Sequence, residues 1–162
     1  MAKDVQQSIS RMMGARYGTR DEDAHIFEQS IYEITLKNNP RHIVDICRAM
    51  YDECDTEGLM ESTFIGIDHY LDICDIDVIA TYVVKGIYAA SKEGSYFSQV
   101  LLGRYINDDK DMYPLARAVQ NETSEVQQHI RDMAVSMSTD EDDVEERGKK
   151  FLDLLALNTP LD

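Results

Sequence analysis

The residues of this chain that could do chemistry are mostly carboxylates, and two stretches concentrate them. In the first, Asp68, His69, Asp72, Asp75 and Asp77 surround Cys74. Asp68 and Asp72 lie four apart and so share one helix face, and hard cations accept such oxygens. A calcium loop also needs a glycine at its turn and regularly spaced ligands, and a di-iron bundle needs Glu-x-x-His pairs on two helices. This stretch has neither, so solvated acids with helix-capping roles are the simpler account, and a metal-dependent enzyme built on Asp68 to Asp77 is the third of three functional readings. The second stretch is Asp52, Glu53, Asp55, Glu57 and Glu61, and Asp108, Asp109 and Asp111 form a similar corner further on. At exposed corners these eight carboxylates would meet arginine or lysine side chains of another protein, speeding association and selecting the partner. They are the candidate partner-binding residues.

Other catalytic signatures are missing. The sequence contains no glycine-rich phosphate loop, no H-E-x-x-H and no G-x-S-x-G. Histidines 25, 42, 69 and 129 are scattered, and a Cys–His nucleophile would need packing to bring Cys47 to His42 or His69. Cys47, Cys54 and Cys74 are odd in number and contain no C-x-x-C, which argues against a disulfide framework and a structural metal. Cys47 sits in an apolar helical stripe and reads as a buried reduced thiol. No catalytic residue, metal or cofactor is assigned, and the expectation is a protein that is not an enzyme.

The elements that must position these acids are helices. The strongest β-branched run, Ile76 to Val84, is also apolar at 76, 79, 83 and 87, a helical stripe. Residues 3–13 predict a first helix ended by Gly14 and Gly18, and Thr19 with Glu22 predicts a capping box for a second, with Ala24, Phe27, Ile31 and Ile34 inward. Asn38-Asn39-Pro40 stops it. A pattern of about 35 residues then recurs, opened by Arg41, Asp75 and Asp111, each unit reading as two amphipathic helices around a polar turn. Asp111 is expected to cap a helix carrying Pro114 in its first turn, and Thr139 to cap a last helix whose Phe151, Leu152, Leu154 and Leu155 close the stack. One hairpin cannot bury both its apolar seams, so neighbours must stack. The expected fold is all-α: a single helical domain over 1–162, with N-terminal cap helices in 1–40, three hairpins in 41–138 and a C-terminal cap helix in 139–162. A short HEAT-like array is the leading architecture and an up-and-down bundle the alternative.

Composition bounds the partners. The 43% hydrophobic content argues against disorder, and no apolar run approaches the roughly 20 residues of a membrane span. The polar N-terminus does not resemble a secretory signal, so a cytoplasmic protein is expected. Thirty-one acidic residues against 16 basic give −15, and the stretch from Thr139 to Asp162, with eight acids and three bases, holds only −5 of it. Phosphates would be repelled by such a body, so nucleic acid is not an expected ligand, whereas a basic protein is. Ordinary colloidal solubility explains the same charge without any partner. Nine tyrosines without a tryptophan, among them Tyr51, Tyr82, Tyr88, Tyr96, Tyr105 and Tyr113, suit interface hot spots and equally suit half-buried helix positions.

Two stretches carry a family resemblance. Tyr51-Asp52-Glu53-Cys54-Asp55-Thr56-Glu57-Gly58-Leu59-Met60, running into Ile65-Gly66-Ile67-Asp68-His69-Tyr70, and Leu101-Leu102-Gly103-Arg104-Tyr105-Ile106-Asn107 resemble the immunity protein 30 family of bacterial polymorphic-toxin and contact-dependent growth inhibition systems, over residues 41 to about 119. The chain departs from the family pattern at Ile106, where leucine is expected, and in its acidic tail. The resemblance implies a small cytoplasmic protein that binds and neutralises a cognate toxin domain, with no catalytic residues to carry over. Many toxins of this sort are nucleases with basic substrate grooves, where an acidic inhibitor would compete for the phosphate positions. Arg104 and Asn107 match the family segment and read as structural, a buried arginine with an acid partner and a helix end. The second reading, from a different class, is a helical-repeat adaptor or a nucleic-acid mimic that inhibits a basic protein.

Overall fold

The computed structural model describes residues 4–56, 58–138 and 143–157, and among these the regular structure is entirely helical. The helices are α1 (Val5–Ala15), α2 (Asp23–Thr35), α3 (His42–Arg48), α4 (Glu61–Leu71), α5 (Ile76–Ala90), α6 (Ser95–Ile106), α7 (Asp109–Gln120), α8 (Ser124–Met137) and α9 (Asp143–Ala156). They stack as antiparallel hairpins in two layers. The odd layer is the tighter: α3 packs on α5, α5 on α7 and α7 on α9, while α2 packs on α4 and α6 on α8 in the other. One continuous core runs through both, from Met12 and Phe27 through Ile46, Ile67, Ile87 and Leu115 to Phe151.

The repeat is visible in the contacts that cross between hairpins. Asp68 bonds Arg104 (36 residues on), Tyr88 bonds Glu125 (37), Asp109 bonds Arg147 (38) and Asp77 bonds Arg117 (40). Each partner lies about one repeat further along the chain, as in a stack where every unit touches its neighbours. These pairs are largely exposed and solvent screens them, so their effect is on the register between hairpins more than on stability. Arg104, expected to be buried, is instead half-exposed over the Phe64 ring, 5.2 Å from its centroid, and reaches Asp68 at 2.6 Å. Asn107 caps the C-terminus of α6, as expected of an asparagine there.

Helix boundaries differ from the sequence reading where a cap lies elsewhere. Asp4 caps α1, which runs through Gly14 to Ala15. The second helix begins at Asp23 rather than at a Thr19 capping box, because the Asp23 carboxylate turns back to the Arg20 backbone N–H (3.0 Å) and guanidinium. Asp108, not Asp111, caps α7 by accepting from the Lys110 N–H at 3.0 Å. Pro114 is therefore the sixth residue of that helix, beyond the first turn. Asn38 takes the left-handed conformation expected after α2, with φ of 50°. The expected Thr139 cap lies outside the described residues; Phe151, Leu154 and Leu155 of α9 are buried as expected.

Candidate protein-binding surface

The candidate acids divide between the two ends of the stack. Asp52 meets the N-terminus of α6, whereas Asp108 follows its C-terminus, so the 12 residues of α6 separate them by about 18 Å at 1.5 Å per residue. Asp52, Glu53, Asp55 and Glu61 belong to one end; Asp108, Asp109 and Asp111 belong to the other; Glu57 lies outside the described residues.

The acids of the second end are largely engaged within the fold. Asp108 is the α7 cap. Asp109 accepts from Lys150 Nζ at 2.7 Å and Arg147 Nη1 at 2.6 Å, tying α7 to α9. Those two bonds hold its carboxyl below the usual aspartate range, Lys150 contributing most. Asp111 is partly buried, and desolvation pushes its carboxyl up. The cluster around Cys74 is dispersed in the same way: Asp68 pairs with Arg104, Asp77 with Arg117, and Asp75 caps α5 through the Asp77 N–H. Among the described residues no three Asp, Glu, His or Cys groups converge to hold a metal ion. Cys47 is fully buried, desolvation pushes its thiol up to about 12, and its sulfur faces Gly86. His42 bonds Asp45 and His69 bonds Asn38 instead.

The first end is built differently. Three connections meet there: residues 16–22 between α1 and α2, 49–60 between α3 and α4, and 91–94 between α5 and α6. Arg16 fastens all three. Its side chain is 6% exposed, and it donates to the Arg48 carbonyl at 3.1 Å, the Tyr17 hydroxyl at 3.1 Å and Glu93 Oε2 at 2.7 Å. The guanidinium also lies over the Tyr17 and Tyr51 rings, which meet edge to face with centroids 5.0 Å apart. Gly18 and Thr56 form a second fastening. The Thr56 hydroxyl donates to the Gly18 carbonyl at 2.8 Å, and a Cβ at Gly18, where φ is 65°, would stand 2.6 Å from that hydroxyl oxygen. The Asp55 N–H also donates to the Tyr17 carbonyl. The third is Asp52, whose carboxylate accepts from the backbone N–H groups of Tyr96 and Phe97 while its own N–H donates to the Glu93 carbonyl at 2.8 Å. Gly94 opens α6 and has no side chain to cap it; a Cβ there would stand 2.6 Å from Met50 Cβ. Asp52 supplies that cap from a neighbouring repeat.

What this end presents outward is acidic and aromatic. Glu53, Asp55 and Glu61 are exposed and form no ion pair with any described residue. Tyr17 and Tyr96 stand exposed beside them, Tyr96 at 63%. Exposed bases at this end are few: Arg48 leans on Asp45, Arg20 is held by Glu22 and Asp23, and Lys92 projects from the α5–α6 turn. The sequence reading found these acids but missed Arg16, Tyr17 and Glu93, because Arg16 and Glu93 are 77 residues apart and no local pattern joins them. The one local signal was an Arg-Tyr pair between Gly14 and Gly18, where a solvent-facing turn would be cheaper to build from small polar residues. No helix among the described residues is long and apolar enough to cross a membrane. No protein-family model, no curated protein and no solved structure matches the chain.

Proposed function

We propose that this protein is a binding protein which docks the loop end of its helical stack onto a basic protein, and that the partner is a cognate bacterial toxin domain that it neutralises as an immunity protein. The observation that carries the reading is the contrast between inside and outside at that end. Arg16 and Asp52 tie three loops into one surface, while the carboxylates of Glu53, Asp55 and Glu61 form no ion pair with any described residue. A surface ordered before binding loses little conformational entropy on docking. Unpaired carboxylates beside exposed tyrosines suit a lysine- or arginine-rich partner, with tyrosines as contact anchors and acids as steering charges. The net charge of −15 extends that attraction beyond the contact, within a Debye length of about 8 Å at physiological salt. The toxin partner rests on the resemblance of residues 41 to about 119 to the immunity protein 30 family.

The test is co-expression with the C-terminal domain encoded by the gene immediately upstream. The expected result is rescue of cells from that domain and a stoichiometric complex whose association rate falls as salt rises. Glu53→Lys with Asp55→Lys should slow association, and Tyr96→Ala should speed dissociation. No rescue together with no complex would overturn the toxin reading, and a complex indifferent to all three substitutions would overturn the assignment of the surface.

A further inference from the structure

A second concave surface runs along α2 and α4, from Glu28 and Ser62 to Thr35 and His69. Tyr32, 63% exposed, and Ile65, 71% exposed, stand as its two walls, an amphipathic ring facing a branched aliphatic side chain left outside the core. Its floor is Ile31 and Gly66. A Cβ at Gly66 would stand 2.5 Å from Ile31 Cγ2, so the glycine lets the two helices close and fixes the floor. His69, bonded to Asn38, bounds one end and the exposed Glu28 the other. The slot is open to solvent along its length and has a volume of about 420 Å³.

We propose that this slot receives a segment of a basic partner protein that inserts one large apolar side chain between Tyr32 and Ile65 and sets an adjacent lysine or arginine against Glu28. Charge decides between occupants. A second copy of this chain also carries a net −15 and would be repelled as it approached, whereas a basic segment gains both the apolar burial and the Glu28 carboxylate. Glu28 forms no ion pair with any described residue, so it is available to that cation. The inference takes from the reading above only the sign of the partner's charge; it does not depend on a toxin or on the loop end.

The experiment is selection of a random peptide library displayed on phage against the full chain, followed by anisotropy titration of the enriched peptide. The expected consensus carries an aromatic or large aliphatic residue flanked by Lys or Arg. Ile65→Asp should weaken binding by at least about tenfold, the loss of a central anchor, and Glu28→Lys should weaken it and flatten its salt dependence. Both side chains are exposed, and unchanged circular dichroism would show that the variants fold. Glu53→Lys at the loop end should leave peptide affinity unchanged, which separates failure here from failure of the toxin reading. Enrichment of nothing, of acidic peptides, or of peptides indifferent to Ile65→Asp would overturn the proposal. So would a concentration-dependent dimer in sedimentation that Ile65→Asp abolishes, since the slot would then belong to a second copy.

Discussion

The carboxylate of Asp52 caps a helix that lies more than 40 residues away, accepting from the Tyr96 backbone N–H at 2.9 Å through Oδ2 and 3.1 Å through Oδ1. A residue whose type suggested partner binding is therefore also a joint between hairpins. Asp52→Ala should cost about 1 kcal/mol, the usual loss of a helix N-cap, and Asp52→Asn should recover most of it, because the amide oxygen still accepts. Urea unfolding of the two variants checks this. Equal losses for alanine and asparagine would mean that the charge, not the cap, is what the site uses.

Arg16 is the second joint. Arg16→Ala should cost about 2–3 kcal/mol, in the range of charge-assisted hydrogen bonds, because the Arg48 carbonyl and Glu93 lose their donor together. Arg16→Lys should recover only part, since an ammonium cannot fork between a carbonyl, a phenol and a carboxylate while lying over two rings. The same variant should disturb near-ultraviolet circular dichroism, which reports the Tyr17–Tyr51 pair. Unchanged tyrosine signals in Arg16→Ala would show that the rings hold that arrangement without it.

Two helical glycines should respond in opposite directions to alanine. At Gly86 a Cβ would lie 2.5 Å from Cys47 Sγ and 3.0 Å from Cys47 Cβ, so overpacking of about 1–3 kcal/mol competes with a helix-propensity gain of about 1 kcal/mol and destabilisation wins. Adding Cys47→Ala should return part of that loss, a coupling visible in a double-mutant cycle. Gly14 in α1 meets nothing within 4 Å, and Gly14→Ala should stabilise by about 0.5–1 kcal/mol. Thermal unfolding of the three variants and the double variant measures both signs.

Acid should loosen the attachment of α9. Lys150 and Arg147 depress the Asp109 carboxyl in the folded state, so its contribution is present above the unfolded aspartate value near 3.9 and disappears as pH falls through the lower folded value. The stability difference between wild type and Asp109→Asn should therefore be constant near neutral pH and shrink only below about pH 4. Asp111 carries the opposite sign. Burial raises its carboxyl, so its charge is a cost above the folded value that protonation relieves. Asp111→Asn should accordingly be neutral or stabilising at pH 7. A wild-type advantage over Asp109→Asn that persists unchanged to the lowest pH would refute the ion-pair account.

Much of the scaffold was legible in sequence because it is local. The stripes Ile76, Ile79, Val83 and Ile87, and Phe27, Ile31 and Ile34, follow the 3.6-residue period and face the core as read, with Ile76 only partly buried. Asn38 sits at a helix end because its short polar side chain tolerates the left-handed conformation found there. The start of α7 differs from the reading because Asp108, three residues before the expected Asp111 and of equal capping chemistry, is the one the α6–α7 turn brings to the helix start.

By itself, then, the amino-acid sequence determined the helical class, the period of the repeat, the apolar seams and the −15 charge, all properties of residue type and short-range spacing. Tertiary structure alone decided which acids are free. Asp52, Asp108 and Asp109 look like Glu53, Asp55 and Glu61 in the sequence, yet the first three are held by groups in other segments of the fold or by a helix start, while the last three form no such bond with described residues. That assignment depends on distances between residues one or more repeats apart, which stacking sets and local pattern does not carry. The same holds for Gly66 and Ile65, neighbours in sequence, one closing two helices together and the other left standing outside.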